Sequence, residues 1–282
     1  MNILGNRKAS NQDAIGSRLD ELERKIDLLL ADLPESTDKK ERLVHIEDKV
    51  NTLLENIPES VLEDRFAKKS WSQYGEDLLI WNKFQELGIE RPTYIDVGAN
   101  HPFDISNTAI FHVHGCHGIN IDANPNNMDL FEKYRSNDIN ICCGIGPAET
   151  TMPFYMVDEH SGRNSFVKEN VENFIRTSPE PFEIREVRQI RVRLLQDVLD
   201  EYNSGKMPDY MSIDIEGMEY DVLSGFDLVS NGPKMLTIEI MDEDGKLTAA
   251  MAKFMQDSGY VLLIKAGINH TYVRKELAHS SH

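Results

Sequence analysis

Short apolar runs in this chain end on acids: Asp96 in TYIDVG, Asp122 in GINIDANP, Asp214 and Glu216 in YMSIDIEG, and Glu239 in TIEIMD. An aliphatic, β-branched run that closes on glycine or an acid reads as a buried strand opening into a turn. In sheets of such strands, ligands bind outside the carboxyl ends. Gly98, two residues after Asp96, lets the first turn approach a ligand closely, and Asp96 can orient an ammonium group or the turn's own amides. Asp122 follows 26 residues after Asp96. An acid about 20 residues beyond a glycine turn is what a ribose diol requires, since both hydroxyls can donate to one carboxylate. Asp122, Asn124 and Asn126 are equally competent helix N-caps, and Asp96 could be a plain structural acid. There is no G-x-G-x-x-G, so a nucleoside suits these strand ends better than a dinucleotide. Asp214 and Glu216 sit two apart in a predicted strand and so share a face, with Glu219 at the start of the next helix. Together with Glu239 they gather carboxylates along one sheet edge. Such a cluster could bind a metal, activate a hydroxyl or hold a cationic cofactor.

The elements that position these acids follow from the change of period after Ser72. Tyr74–Leu87 reads as a helix with Leu78, Leu79, Trp81 and Phe84 on its apolar side. Helices are also predicted over Ser106–Val113, Asn126–Arg135 and Gly245–Ser258. Strands are predicted at Thr93–Gly98, Gly118–Asp122, within Asn137–Gly146, and at MPFYMV, RQIRVR, YMSIDIEG and MLTIEIMD. YVLLIKA and NHTYV read as a closing hairpin that adds an antiparallel edge. Strands alternating with helices imply a mostly parallel α/β sheet, doubly wound and covered on both faces.

The chain has 282 residues, 40% of them hydrophobic, enough for one sizeable domain and a smaller one. Its net charge is −18, with 30 basic against 48 acidic residues. No basic face for nucleic acid is visible, and acidity opposes docking on an anionic membrane. There is no run of about 18 apolar residues to span a membrane and no secretory leader. Three cysteines, two of them adjacent (Cys142 and Cys143), form no disulfide framework and fit a reducing cytoplasm.

Residues 1–69 have a different grammar. RLDELERKIDLLLADLPE from Arg18 is repeated as RLVHIEDKVNTLLENIPE from Arg42. Leu19, Leu22, Ile26, Leu29 and Leu33 match Leu43, Ile46, Val50, Leu53 and Ile57, a heptad-type seam with charges of both signs between. Each copy is too short to be stable alone. The stripe therefore needs a partner: the other copy in a helical hairpin, a second subunit in a coiled coil, another protein, or its own domain. The boundary is placed between 69 and 70.

Taken together, SQYGEDLLI (Ser72–Ile80), YIDVGANHP (Tyr94–Pro102), SNT (Ser106–Thr108), GINIDANP (Gly118–Pro125), SIDIEGMEYDVLSGFD (Ser212–Asp227) and PKMLTIEI (Pro233–Ile240) resemble, in order and spacing, the FkbM family of S-adenosylmethionine-dependent methyltransferases. The resemblance covers residues 72–272. It implies a seven-stranded Rossmann-like sheet of the class I methyltransferase type, whose last strand is antiparallel. It implies that Asp96, Gly98, Ala99 and Asn100 hold the methionine part of S-adenosyl-L-methionine, that Asp122 takes the ribose hydroxyls, and that Cys143 and Gly144 lie by the adenine. Asp214 and Glu216 would stand nearest the transferring methyl, with Glu239 and His101 behind them as further candidates for the base. Where many members have glycine after this asparagine, the chain has His101-Pro102. The substrate implied is a small-molecule or glycan acceptor carrying a hydroxyl. A nitrogen or carboxylate acceptor, or a non-enzymatic nucleoside-binding scaffold, are the alternatives.

No metal site is expected in FHVHGCHG (Phe111–Gly118), because His112, His114, Cys116 and His117 crowd one helix end rather than forming two separated pairs. Ser161–Phe166 reads as a substrate loop or a solvated turn, and Thr177–Arg193 as an insertion able to form a lid. For the repeat, deletion of residues 1–60 is expected to leave a folded, cofactor-binding domain of lower oligomeric state or lacking a partner. Light scattering on full-length and truncated protein checks this: equal sizes with no partner lost would make the repeat a cap on its own domain.

Overall fold

The computed structural model describes residues 68–241 and 245–278. The repeat at 18–59, with the hairpin or coiled coil expected there, lies outside the described residues. Seven strands form the main sheet: β1 (Tyr94–Val97), β2 (Gly118–Asp122), β3 (Ile139–Cys142), β7 (Tyr210–Ile213), β8 (Met235–Glu239), β9 (Tyr260–Ala266) and β10 (Asn269–Arg274). Their order is β3-β2-β1-β7-β8-β10-β9. β1 pairs in parallel with both β2 and β7, Val97 lying between Ile121 and Ile213. β10 is antiparallel to β8 and to β9. The expected antiparallel edge is thus corrected: the hairpin forms, but its second strand inserts beside β8, and the edge strand β9 runs in the common direction.

All four residues of β1 and of β7 are buried, as parallel strands covered on both faces require. Side-chain alternation divides them between two cores. Ile95, Val97, Met211, Ile213, Leu236 and Ile238 pack with Leu195, Val198 and Leu199 of helix α5 (Leu195–Asn203) and with Met251 and Met255 of α8 (Lys246–Asp257). Tyr94, Tyr210 and Met235 face the other way, against Ile80 and Phe84 of α1 (Glu76–Glu86) and Ile110 and Phe111 of α2 (Ala109–Val113). Leu79, expected on the apolar side of α1, is 54% exposed, and Ile80 takes the buried position instead. By the same alternation Asp96, Ser212, Thr237 and Glu239 point toward the α1–α2 side.

MPFYMV and RQIRVR do not join the main sheet. β5 (Thr150–Met156) and β6 (Glu186–Arg193) pair antiparallel, and β6 pairs in parallel with β4 (Gly144–Ile145), making a second sheet of three strands. The end of the supposed lid insertion is therefore the central strand of that sheet, while α4 (Lys168–Thr177) lies between β5 and β6 in sequence.

Beneath the strand ends runs a buried charge network. Arg135 is fully buried, and its Nε lies 3.4 Å from Asp138 Oδ2. Its Nη1 and Nη2 each donate to Thr108 Oγ1 at 3.1 Å, and Thr108 donates to Asp96 Oδ2 at 2.5 Å. Tyr94 donates its hydroxyl to Asp138 at 2.6 Å. Removing one member of a buried ion pair leaves the other charge uncompensated, at about 3–5 kcal/mol. Arg135→Ala is expected to lose about that much stability in urea denaturation; a loss under 1 kcal/mol would show that the network does not support the sheet.

Candidate active site

Two cavities open at the carboxyl ends of β1, β2, β7 and β8. The larger, ≈ 650 Å³ counted out to its open mouth, is lined by the turn after β1 (Gly98, Asn100), the turn after β2 (Asp122–Asn124), Cys143 and Gly144, the 161–166 segment, and Asp214–Glu216. The second, ≈ 430 Å³ on the same measure, holds Asp96, Ala99, Asn107, Ser212, Glu239 and Asn269 on its walls. Gly98 and Asp214 border both.

The first turn is built around Gly98, whose φ is 80°. Its N–H donates to Ile121 O at 2.9 Å, and a Cβ there would stand 1.7 Å from the carbonyl oxygen of Asp214. Only glycine allows that approach. Asn100, at φ 50°, donates its N–H to Asp122 Oδ2 at 2.8 Å. Asn124 N–H donates to Asp122 Oδ1 at 2.7 Å, and the Asn127 amide reaches the same oxygen at 3.4 Å. Burial pushes the Asp122 carboxyl up to about 6, against the pull of these donors, which favour its ionised form. Asn124 is also the N-cap of α3 (Pro125–Tyr134), its side chain accepting from Asn126 N–H. Asp122 thus faces the cleft, while Asn124 does the capping.

Cys143 donates its N–H to Asp122 O at 3.1 Å and is buried, which pushes its thiol up to about 11. Gly144 lies under the Phe166 ring, where a Cβ would come within 2.7 Å of the ring edge. Phe166 in turn packs on Phe154, ring centres 4.9 Å apart. Phe166 closes the segment that reads as a substrate loop or a solvated turn, whereas Phe154, in the second sheet, carries no site signal in the sequence.

Asp214 and Glu216 do not lie in a strand. β7 ends at Ile213, and the Asp214 N–H donates to Val97 O at 2.9 Å as the chain leaves the sheet. The same-face argument from alternation therefore fails. Glu216 takes a left-handed φ of 58°, followed by Gly217 at 110°. Glu219, first residue of α6 (Glu219–Ser224), holds this turn by accepting from Ile215 N–H at 2.8 Å and Gly217 N–H at 3.1 Å. A left-handed non-glycine residue persists only where its surroundings fix it, often at functional sites.

Carboxylate oxygens of Asp214, Glu219 and Glu239 lie within 4.8 Å of one another. Asp214 is open to water at the cleft floor yet enclosed by protein on its other sides. Desolvation, with Glu239 beside it, raises its carboxyl well above the usual range. Glu239 is also raised, chiefly by desolvation, and hydrogen-bonds Asp214. Two carboxyls so placed titrate as a pair. Glu216 is pushed up to about 7 by burial and by Asp214.

Four expected site residues lie away from the larger cleft, Glu239 among them on the wall of the second cavity. Asp96 and Ala99 line the second cavity, and the Asp96 carboxylate accepts from Thr108. His101 lines neither cavity; its Nδ1 accepts from the N–H groups of Phe103 and Asp104 at 3.1 and 2.9 Å, which organises the loop. His112 and His117 lie 3.5 and 3.7 Å from Asp138, away from both cavities.

None of the curated proteins compared matches the chain. Among solved structures, an FkbM methyltransferase from Methylobacillus flagellatus KT is 16% identical, with a TM-score of 0.41, over 65% of this chain and 44% of that one. The chain thus spans less than half the length of that protein. A precorrin-6y C5,15-methyltransferase from Geobacter metallireducens GS-15 is 12% identical, TM-score 0.36, over 75% of this chain and 93% of its own. The 1,6-didemethyltoxoflavin-N1-methyltransferase of Burkholderia thailandensis, solved with bound 1,6-didemethyltoxoflavin and S-adenosylhomocysteine, is 12% identical, TM-score 0.35, over 86% of this chain and 91% of its own. Residues 96–262, more than half of the chain and spanning the strand ends described above, match the methyltransferase FkbM domain, and the chain belongs to that family.

Proposed function

We propose that the chain is an S-adenosylmethionine-dependent O-methyltransferase acting on a hydroxyl of a sugar, glycan or related metabolite. The observation that carries this reading is the buried Asp122 carboxylate at the end of β2, facing a cleft walled by Phe154 and Phe166. The donor set suits the cofactor: a carboxylate for a diol, a slot of aromatic and aliphatic side chains for a flat base, and acids beyond for cationic groups. Asp122 would hold the ribose hydroxyls, Cys143 and Gly144 would lie by the adenine, and Gly98 with Asn100 would shape the methionine end. Asp96 and Ala99 act there by fixing the turn. When bound, the cofactor supplies an electrophilic methyl group.

The chain's own residues must then place the acceptor and take its proton. A sugar-like hydroxyl is a poor nucleophile until a base removes the proton as the bond forms. Glu216 lines the larger cleft, and its raised carboxyl is matched to neutral pH. Asp214 borders both cavities with Glu239 beside it, and the pair is the second candidate to accept the hydroxyl's proton. Among the described residues no Lys or Arg lines the second cavity, whose polar walls suit a neutral, hydroxyl-rich acceptor better than a phosphorylated one. His101 is given no part in proton transfer. Among the described residues no helix is long and apolar enough to cross a membrane. The three free cysteines support a reducing compartment, the cytoplasm. The extension at 1–69 would serve oligomerisation or a partner.

Asp122→Ala is expected to weaken S-adenosylhomocysteine binding by about 1–3 kcal/mol in calorimetry. Because the native carboxylate is the acceptor form, wild-type affinity should also fall as pH drops through about 6, and that step should vanish in the variant. Unchanged affinity in folded Asp122→Ala removes it from the site.

Asp214→Asn and Glu216→Gln are expected to cut turnover by roughly 10²–10⁴-fold in whichever residue is the base, with cofactor affinity nearly intact. If Glu216 is the base, wild-type turnover rises as pH climbs through about 7, where its carboxyl ionises, and Glu216→Gln loses that rise. Acceptor screening by mass spectrometry, for a gain of one methyl, supplies the assay. Full turnover in both variants would bring Glu239 forward.

A further inference from the structure

Residues 158–164 form a strap over the larger cleft. Its base is closed by the paired Tyr155 and Ser165, whose N–H and C=O groups exchange bonds of 2.9 and 3.1 Å. Buried Asn164 braces it from within, accepting from Val157 N–H and donating to Asp158 O, each at 2.9 Å. Ser161, Gly162 and Asn164 form cleft wall, so opening the strap would unroof the site.

The strap's tip is tied to the turn after β2 by side-chain amides. Asn124 Nδ2 donates to Glu159 O at 2.7 Å, and Asn126 Nδ2 adds a longer bond of 3.3 Å. Asn127 makes the third tie. Its Nδ2 donates to Asn100 Oδ1 at 3.2 Å and to Asp122 Oδ1 at 3.4 Å. Two acceptors on that side fix which end of the amide is nitrogen. Its Oδ1 then faces His160 Nδ1 at 3.1 Å, so the imidazole nitrogen carries the hydrogen and donates. Asn127 is 3% exposed, and an amide buried so deeply cannot exchange these partners for water without cost.

We propose that Asn127 is a positioning residue whose side-chain amide couples the occupancy of Asp122 by a nucleoside to closure of the 158–164 strap. The proposal rests on the reading of the cleft as an S-adenosylmethionine site. The amide is planar and rigid, so a ligand that draws on Asp122 bears on the orientation from which Asn127 receives His160. Coupling of this kind is reciprocal: a closed strap slows ligand release, and bound ligand protects the strap.

The test uses the full chain, S-adenosylhomocysteine as probe, stopped-flow release, and hydrogen exchange of the peptide spanning 158–164. Asn127→Ala and His160→Leu should each speed release about five- to tenfold, the effect of one neutral hydrogen bond. They should also speed exchange of the strap without ligand, while exchange of 210–213 in β7 stays as in wild type. His160→Asn, whose amide nitrogen can stand where Nδ1 stood, should restore both rates, which a merely structural loss of the ring would not. His160 lies on the exposed strap, so its variants keep the test open should Asn127→Ala fail to fold. Wild-type release and strap exchange in His160→Leu overturn the coupling. A wild-type chain that binds no S-adenosylhomocysteine overturns the cofactor reading and the coupling with it; a chain that binds it but shows the same strap exchange free and bound overturns the coupling alone.

Discussion

The backbone of Gly98 lies against the carbonyl of Asp214, and the site depends on that approach. β1 and β7 are neighbours in register, Val97 beside Ile213, and the Asp214 N–H continues the ladder one step beyond β7 by bonding Val97 O. Two turns therefore leave the sheet side by side, with room between them for hydrogen atoms alone. That closeness sets Asp214 where both cavities meet. A methyl group at position 98 would need the space of a backbone oxygen, and the two turns would have to part. The distance from the glycine turn to the acid is thus fixed by main chain, the least adjustable material in the fold.

Around that contact the protein gathers acids and manages each differently. Asp96 is held by Thr108 and faces the charge of buried Arg135. Glu219 spends its carboxylate on the N–H groups of the preceding turn. Asp122 is held by two backbone N–H groups and an amide. Burial pushes all six carboxyls upward, and Asp214, Glu216 and Glu239 have little such support against it. Asp96 and Glu219 are satisfied by donors of the fold; Asp214, Glu216 and Glu239 keep capacity for an outside donor, and so does Asp122, whose Oδ2 accepts a single bond. This difference separates Glu219 from its neighbours more sharply than position in sequence does.

The sequence announced the parallel sheet well, because strands buried on both faces are unbroken apolar runs and each closes on a glycine or an acid. It announced less well whatever depends on partners distant in the chain. Nothing local tells NHTYV to insert between β8 and β9, since a hairpin satisfies itself either way around. RQIRVR has the alternation of a strand, but its pairing with MPFYM across about 30 residues makes a separate sheet. The extent of strand YMSIDIEG was overread, because the apolar alternation runs on through Ile215 while the backbone has already turned. Asp122 was legible, as its spacing from the glycine turn reflects one strand-helix-strand unit. Asn127 was not: an asparagine two residues into a helix looks like any polar surface position until its three side-chain partners are seen.

The division of acids also limits what they can do for a methyl transfer under the proposed cofactor use. A carboxylate near a cationic ligand strengthens binding of the ground state. The positive charge diminishes as the methyl leaves, so that attraction weakens toward the transition state and does not speed the step; only interactions that grow there do. The interaction that grows is the one with the acceptor's proton, as the oxygen becomes a better donor while its new bond forms. Rate therefore has to come from a carboxylate that is ionised, within reach of the acceptor and held in line with the reacting atoms, since reacting atoms must approach to about 3–3.5 Å. Burial supplies the match to neutral pH at Glu216, and Glu239 beside Asp214 disfavours a second charge there. Under the proposed cofactor use, the backbone contact at Gly98 would fix where Asp214 stands for that alignment.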